Sequence, residues 1–169
     1  YSDFQCPFCK RVQSTLQNLR TKYSNEVQFG YRHFPLPFHK EAEVLAQAVE
    51  CARDQNKFWE LQELFYNNIS NSANENEIMK LVKFAGVEDI PAFKLCLQNG
   101  KYEQRVQKDI QDGVSLGIQG TPTFILGAYD PQSKTVSGKM FSGAVSEEKF
   151  TDVIEKFLAS TRTEAKLNQ

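Results

Sequence analysis

The chain has no stretch approaching the roughly 18 consecutive apolar residues needed to cross a bilayer as a helix. It has no long run of one charge either: 20 lysines and arginines are offset by 21 aspartates and glutamates, for a formal net charge of -1. That balance excludes a phosphate-tracking surface, so nucleic acid is not an expected partner. Internal repeats and low-complexity segments are missing as well. What remains is an ordinary composition, 40% hydrophobic over 169 residues, enough for a real core in one soluble globular domain with room for an insertion. Cysteine is sparse, with four in all, and two of these sit three residues apart near the start.

That pair is Cys6-Pro7-Phe8-Cys9. Phe8, Val12, Leu16, Leu19 and Tyr23 recur at three- or four-residue intervals, the spacing of an amphipathic helix, so the pair opens a helix. Two cysteines three apart at a helix start share one face and can close a small disulfide ring. The helix N-terminus can then stabilise a thiolate. Exchange chemistry needs that help, because an unperturbed thiol with a pKa of about 8.5 is mostly protonated at neutral pH. Pro7 occupies the first turn, where a missing N–H costs little, and Phe8 brings no charge.

Val27, Phe29 and Tyr31 then alternate with Gln28, Gly30 and Arg32, the period-two pattern of a strand, which His33-Phe34-Pro35-Leu36-Pro37-Phe38 closes. From about His39 to Leu116 the pattern is helical: Leu45, Val49 and Ala52; Leu61, Leu64 and Phe65; Ile78, Leu81, Val82 and Ala85. Asn71, Ser72, Asn74 and Asn76 mark a loop within it, Gly86 suits a helix stop, and Asp89 before Ile90-Pro91 suits a helix start. Phe93, Cys96 and Leu97 share one face, and Tyr102, Val106, Ile110 and Val114 define a further helix ending near Gly117. Thr123 to Leu126 and Lys139 to Ser142 read as an antiparallel pair with a polar loop containing Asp130-Pro131. Ser146 caps a last helix with Phe150, Val153, Ile154, Phe157 and Leu158 on one face, and Thr161 to Gln169 reads as a frayed tail. Phe58, Trp59 and Phe65 are expected in the core, and the charged stretch from Lys101 to Asp112 on a solvated helix face. His33 and His39 receive no role.

This order of elements resembles the DsbA-like branch of the thioredoxin superfamily over nearly the whole chain. The likeness rests on Phe4-Gln5-Cys6-Pro7-Phe8-Cys9, on Gly120-Thr121-Pro122-Thr123-Phe124, on Arg32-His33-Phe34 with His39, and on Glu50-Cys51-Ala52 to Phe58-Trp59. It implies an α/β, thioredoxin-like fold with a helical insertion, its first strand truncated in this chain. The first part of the thioredoxin domain would span residues 1–38, the insertion 39–116, the second part 117–160 and the tail 161–169. It further implies that Cys6 is an exposed nucleophile, Cys9 a more buried resolving thiol, Pro7 and Phe8 a tuning dipeptide, and Pro122 a cis-proline. Thr121 would offer its backbone to an extended substrate chain. Cys51 and Cys96 would form a structural disulfide, worth at most about 4 kcal/mol by loop closure. Two reduced, buried cysteines, or a zinc site of four thiolates, are the alternatives for these residues.

The implied function is thiol-disulfide exchange that introduces disulfides into exported polypeptides with free thiols, followed by reoxidation by a membrane redox partner. Phe8, standing where the strongest oxidants of the family carry histidine, argues for a less extreme oxidant. A reductase or isomerase kept reduced by a partner is the alternative within the same chemistry, and a peptide-binding, chaperone-like module the alternative outside it. The resemblance implies no cofactor, a monomer, and a periplasmic or other extracytoplasmic location. It also implies residues before Tyr1, with an export signal or membrane anchor as candidates.

Overall fold

The computed structural model describes residues 1–69 and 73–167, so Asn71 and Ser72 of the expected loop lie outside the described residues. Tyr1 and Ser2 occupy the middle of the backbone framework. Ser2 forms a parallel bridge with His33, its N–H donating to Arg32 O at 3.0 Å while Phe34 N–H donates to Ser2 O at 2.9 Å. On the other side, Thr123 N–H donates to Tyr1 O at 3.0 Å. Two distant segments thereby meet a few residues from the first cysteine. The strand expected over Val27, Phe29 and Tyr31 does not form as a ladder, and the segment carries that single bridge at its end. A ladder needs a neighbour to exchange hydrogen bonds, and here pairing starts only at Arg32.

The first helix comes in two pieces, α1 (Pro7–Arg11) and α2 (Gln13–Lys22), separated at Val12. The cause is local: the Gln13 side-chain amide donates to Cys9 O at 2.7 Å, inserting a side chain where the helical ladder would run. The helical insertion follows as α3 (Ala42–Arg53), α4 (Phe58–Asn68), α5 (Glu75–Phe84), α6 (Ile90–Gln98) and α7 (Glu103–Ser115). Asn74 caps α5 in a reciprocal box with Glu77, and Asp89 caps α6, accepting from Ala92 N–H at 2.9 Å. Gly86, at φ +80°, takes the left-handed conformation that ends α5. Leu45, Val49, Leu61, Phe65, Val82 and Phe93 close a core that also contains Phe4, Cys6 and Cys9, so the insertion packs directly behind the dithiol.

Two packing expectations fail in α7 and α4. Val114 is 63% exposed, while Val106, Asp109 and Gly113 form the buried face of α7. The ring of Phe34 lies where a side chain at Gly113 would stand, so the smallest residue, and not the apolar one, faces inward. Asp109 is buried because it pairs with Arg32 and accepts the His33 N–H at 3.0 Å, an exception to the solvated face. Trp59 is half-exposed, with the Arg20 guanidinium 3.8 Å over its ring.

The chain closes with β1 (Thr123–Asp130), β2 (Thr135–Ser142) and α8 (Glu147–Leu167). The antiparallel register runs from Thr123 opposite Ser142 to Asp130 opposite Thr135, longer than the sequence pattern suggests. Asp130 makes that possible by accepting from Gln132 N–H at 2.8 Å and from the Ser133 hydroxyl at 2.6 Å, which orders the connecting turn. Phe124, Phe141 and Phe150 pack α8 onto the hairpin, beside Leu19 and Tyr23 of the α2 region. α8 continues to Leu167 through the expected tail, because 161–167 contain no glycine or proline and end in good helix formers.

Candidate active site

Two hydrogen-bonded turns put Cys6 at the mouth of α1. Asp3, itself buried, accepts the Gln5 N–H on one carboxylate oxygen at 2.7 Å, and its carbonyl accepts the Cys6 N–H at 3.2 Å. Its other carboxylate oxygen accepts from Leu36 N–H and sits against His39 Nδ1, both at 2.7 Å, which ties the proline-rich loop to the same corner. Gln5 holds the start of the insertion, donating to Glu41 at 2.7 Å and accepting from the Glu41 N–H at 2.9 Å. Cys6 therefore occupies the N-cap position of α1 by external bracing, with Pro7 in the first turn.

Cys6 and Cys9 are free thiols on one face of that turn. Cys6 is only 4% exposed, less open than the sequence leads one to expect, and Cys9 is fully buried. The cover is the segment before β1. Thr121–Pro122 is a cis peptide, and Thr121 O lies 3.3 Å from Cys6 Sγ. That segment is fastened at three points: Thr123 Oγ1 donates to Gly120 O at 2.8 Å, Gly143 N–H donates to Pro122 O at 2.8 Å, and Thr123 N–H donates to Tyr1 O. Phe8 and Phe38 flank the opening with 51% and 73% exposure, leaving apolar surface beside a nearly closed sulfur.

The two thiols are driven apart electrostatically. The Cys9 thiol, hydrogen-bonding to Cys6, does most to lower the Cys6 pKa, which falls to about 5 against the opposing effect of burial. The backbone N–H groups of Cys9 and Phe8 add to the same effect. Burial pushes Cys9 well above the ordinary thiol range, and the adjacent Cys6 adds to this. The arrangement at neutral pH is thus a Cys6 thiolate accepting from a protonated Cys9. Sequence reasoning credited the helix start with this stabilisation, whereas the largest donor is the second cysteine.

Cys51 on α3 and Cys96 on α6 are joined, with Cα atoms 5.9 Å apart, so these two sulfurs are not available beside Cys6 and Cys9. Among the described residues no group of three or more His, Cys, Asp or Glu is gathered in a way that could hold a metal ion. Next to Cys51, the buried Glu50 meets His33 Nε2 at 2.9 Å, Arg53 at 2.8 Å and Arg105 at 3.1 Å. Burial would raise its pKa, but His33 and Arg53 outweigh that and hold the carboxyl at about 2. His33, left without a role in the sequence, is a structural partner of this carboxylate. Sequence reasoning also missed Ser2 and Asp3 ahead of the dithiol, and Tyr31 and Tyr66 behind it. The only signal was polar residues directly preceding Cys6.

A reduced pair with one stabilised thiolate, one shielded thiol and a neighbouring backbone ledge is chemically equipped for thiol–disulfide exchange. The chain belongs to the thioredoxin family, whose model, described as Thioredoxin, matches residues 1–156. Its fold is that of DsbA-like members. Alpha-DsbA1 of Wolbachia pipientis superposes with a TM-score of 0.77 at 19% identity, over 98% of this chain and 86% of that one. A thioredoxin-like oxidoreductase from Silicibacter pomeroyi gives 0.74 at 22% identity, over 91% and 81%. ScsC of Proteus mirabilis gives 0.73 at 20%, over 95% and 81%. Among curated proteins, the chain is 29% identical over 168 residues to a Na(+)/H(+) antiporter NhaA 1 of Salinispora arenicola, covering 96% of this chain and 23% of that protein. A second antiporter of that name, from Mycolicibacterium gilvum, is 32% identical over 130 residues, covering 75% and 21%. The chain thus spans less than a quarter of the length of these relatives. Among its described residues, no helix is long and apolar enough to cross a membrane.

Proposed function

We propose that this protein oxidises thiols in exported polypeptides through the Cys6–Cys9 pair. A client thiolate attacks Cys6 of the disulfide form, a mixed disulfide forms, and the client's second thiolate releases it as an oxidised product. Cys6 and Cys9 are left reduced, and a membrane redox partner restores the disulfide. The observation that carries this reading is Cys6 at the mouth of α1, beside the cis Thr121–Pro122 segment and in front of a fully buried Cys9, where the Cys9 thiol and the N–H groups of Cys9 and Phe8 depress its pKa to about 5. Stabilising the reduced thiolate makes the corresponding disulfide more oxidising. Thr121 and Pro122 serve as the ledge for the client's extended backbone, and the exposed rings of Phe8 and Phe38 as its apolar flank.

The Cys51–Cys96 bridge supports an oxidising, extracytoplasmic compartment, since structural disulfides persist there and are rare in the cytosol. A related periplasmic thioredoxin-like protein from Salmonella enterica and the antiporter relatives are consistent with work at the cell envelope. The midpoint potential of the Cys6–Cys9 couple tests the direction of flow. A value near that of the strong oxidants, about -120 mV, supports oxidation, whereas one near about -270 mV overturns it in favour of a reductase.

A further inference from the structure

The loop that leads from His33 to Glu41 is fastened to the residues ahead of Cys6 along its whole course. At its start Phe34 N–H donates to Ser2 O at 2.9 Å. At its end the Gln5 side-chain amide donates to the Glu41 carboxylate at 2.7 Å, and the Glu41 N–H donates to Gln5 Oε1 at 2.9 Å. In the middle, Leu36 N–H and His39 Nδ1 meet one oxygen of the buried Asp3 carboxylate, each at 2.7 Å. Pro35 and Pro37 have no N–H, so Leu36 carries the only backbone donor of that stretch, and Asp3 takes it. The large apolar side chain that this loop leaves in water is Phe38, 73% exposed, its ring centroid 4.6 Å from that of His39 at a steep angle of 70°. We propose that the Asp3–His39 pair holds Phe38 as a specificity-determining wall of the client site, so that clients with a large apolar side chain beside the reacting cysteine are preferred. The inference rests on the exchange function proposed above and adds to it the class of polypeptide the site takes.

One carboxylate does two jobs here. Its first oxygen accepts the Gln5 N–H at 2.7 Å and closes the turn that carries Cys6, while its second grips the loop that carries Phe38. A buried carboxylate is costly unless donors satisfy it, and three do so, which fixes the loop to the Cys6 turn as firmly as Asp3 itself is fixed. A carboxylate only accepts, so the hydrogen of the His39 bond belongs to Nδ1, and this sets the plane of the imidazole on which the Phe38 ring rests. Folding gains nothing from a phenyl ring held in water. A ring kept there by a tethered, proline-flanked segment is preorganised for contact, and a client that covers it need not order the loop first. Phe8, 51% exposed, stands on the helix that Cys6 caps, so one apolar ring moves with the sulfur's own helix and the other is supplied by the loop.

The wall acts at the first step of exchange. As a client thiolate attacks Cys6, the client–Cys6 S–S bond forms, the Cys6–Cys9 bond breaks, and the electron pair leaves on Cys9. The side chain next to the client cysteine is then tied to the mouth of α1, where its contact with Phe38 strengthens binding. Asp3 and His39 act through Phe38 and are positioning residues.

The test is single-turnover oxidation of two short dithiol peptides by the disulfide form of the full chain, the peptides differing only in Phe or Gly beside each cysteine. The wild-type protein should favour the Phe peptide about tenfold, through half-saturation and not through the saturated rate, and Phe38→Ala should cut this to about threefold. Asp3→Asn keeps an acceptor for the Gln5 N–H but turns an amide N–H toward Leu36 N–H and His39 Nδ1–H, donor against donor. Asp3→Asn and His39→Ala should therefore lose the preference as Phe38→Ala does, whereas His39→Asn, whose amide nitrogen can stand where Nδ1 stands, should recover most of it. A ratio between two peptides on one sample is not moved by a general loss of folded protein. Equal rates for the two peptides in the wild type overturn the inference, as does a full preference in Asp3→Asn and His39→Ala, or a His39→Asn variant no better than His39→Ala. His39 is 18% exposed at its side chain, so its variants carry the test if Asp3→Asn fails to fold. Oxidation of neither peptide by the wild-type protein would overturn the exchange function itself and this inference with it.

Discussion

Two pairs of cysteines lie within one core, and they differ in almost everything but the atom. Cys6 and Cys9 are free, on one short turn of helix, under a ledge from the other end of the chain. Cys51 and Cys96 are joined across two helices whose apolar faces already bring them together. In the first pair the Cys9 thiol and the backbone N–H groups of Cys9 and Phe8 stabilise the Cys6 thiolate. The second shares the same apolar cluster, with Val49, Leu61 and Phe93, but has no thiol left to ionise. Reactivity here follows from stabilisation of the thiolate, not from exposure, since Cys6 itself is almost covered.

The comparison breaks most sharply by substitution. Cys6→Ser should abolish catalysed exchange in a protein-thiol oxidation assay, whereas a Cys51→Ala, Cys96→Ala double variant should retain most of it. Full activity in Cys6→Ser would leave only a binding module. The same double variant carries the second effect, a loss of up to about 4 kcal/mol in denaturant unfolding. A loss no larger than about 0.5 kcal/mol would mean that the apolar faces alone hold α3 against α6.

The smallest effect is read in pH. Cys6 is depressed to about 5 and Cys9 is raised, so between these values reduction of the pair takes up two electrons and one proton. The midpoint potential should then fall by about 30 mV per pH unit from about pH 5.5 to about pH 8, and not by the roughly 59 mV of a two-proton couple. The linkage has a matching sign. A depressed folded pKa contributes stability that is complete above the unfolded thiol value and fades as pH falls toward 5, so the reduced form should lose stability relative to the oxidised form on acidification. A slope near 59 mV throughout would remove the thiolate from the account.

Local sequence carries part of this site and tertiary contact the rest. The dithiol at a helix start, the caps at Asp89 and Ser146 and the stop at Gly86 were legible because each depends on neighbours within a few residues. The kink at Val12 was not, since it turns on where the Gln13 amide points. The buried face of α7 was misread because a gap matched to Phe34 and a carboxylate matched to Arg32 override hydrophobic periodicity. Ser2, Tyr31 and Tyr66 look like ordinary polar and aromatic positions until folding sets their hydroxyls in a row.

By itself the sequence determined the helical and extended segments, the placing of two thiols on one face, and the family resemblance, because periodicity, caps and motif spacing are properties of short stretches. Only the tertiary structure decided which sulfur becomes the anion. That choice depends on burial: the packed insertion, the N-terminal residues and the Thr121 segment converge on one turn of helix and leave Cys9 fully buried, which disfavours its thiolate, so the charge falls to Cys6, whose donors Cys9 and Phe8 lie within three residues of it.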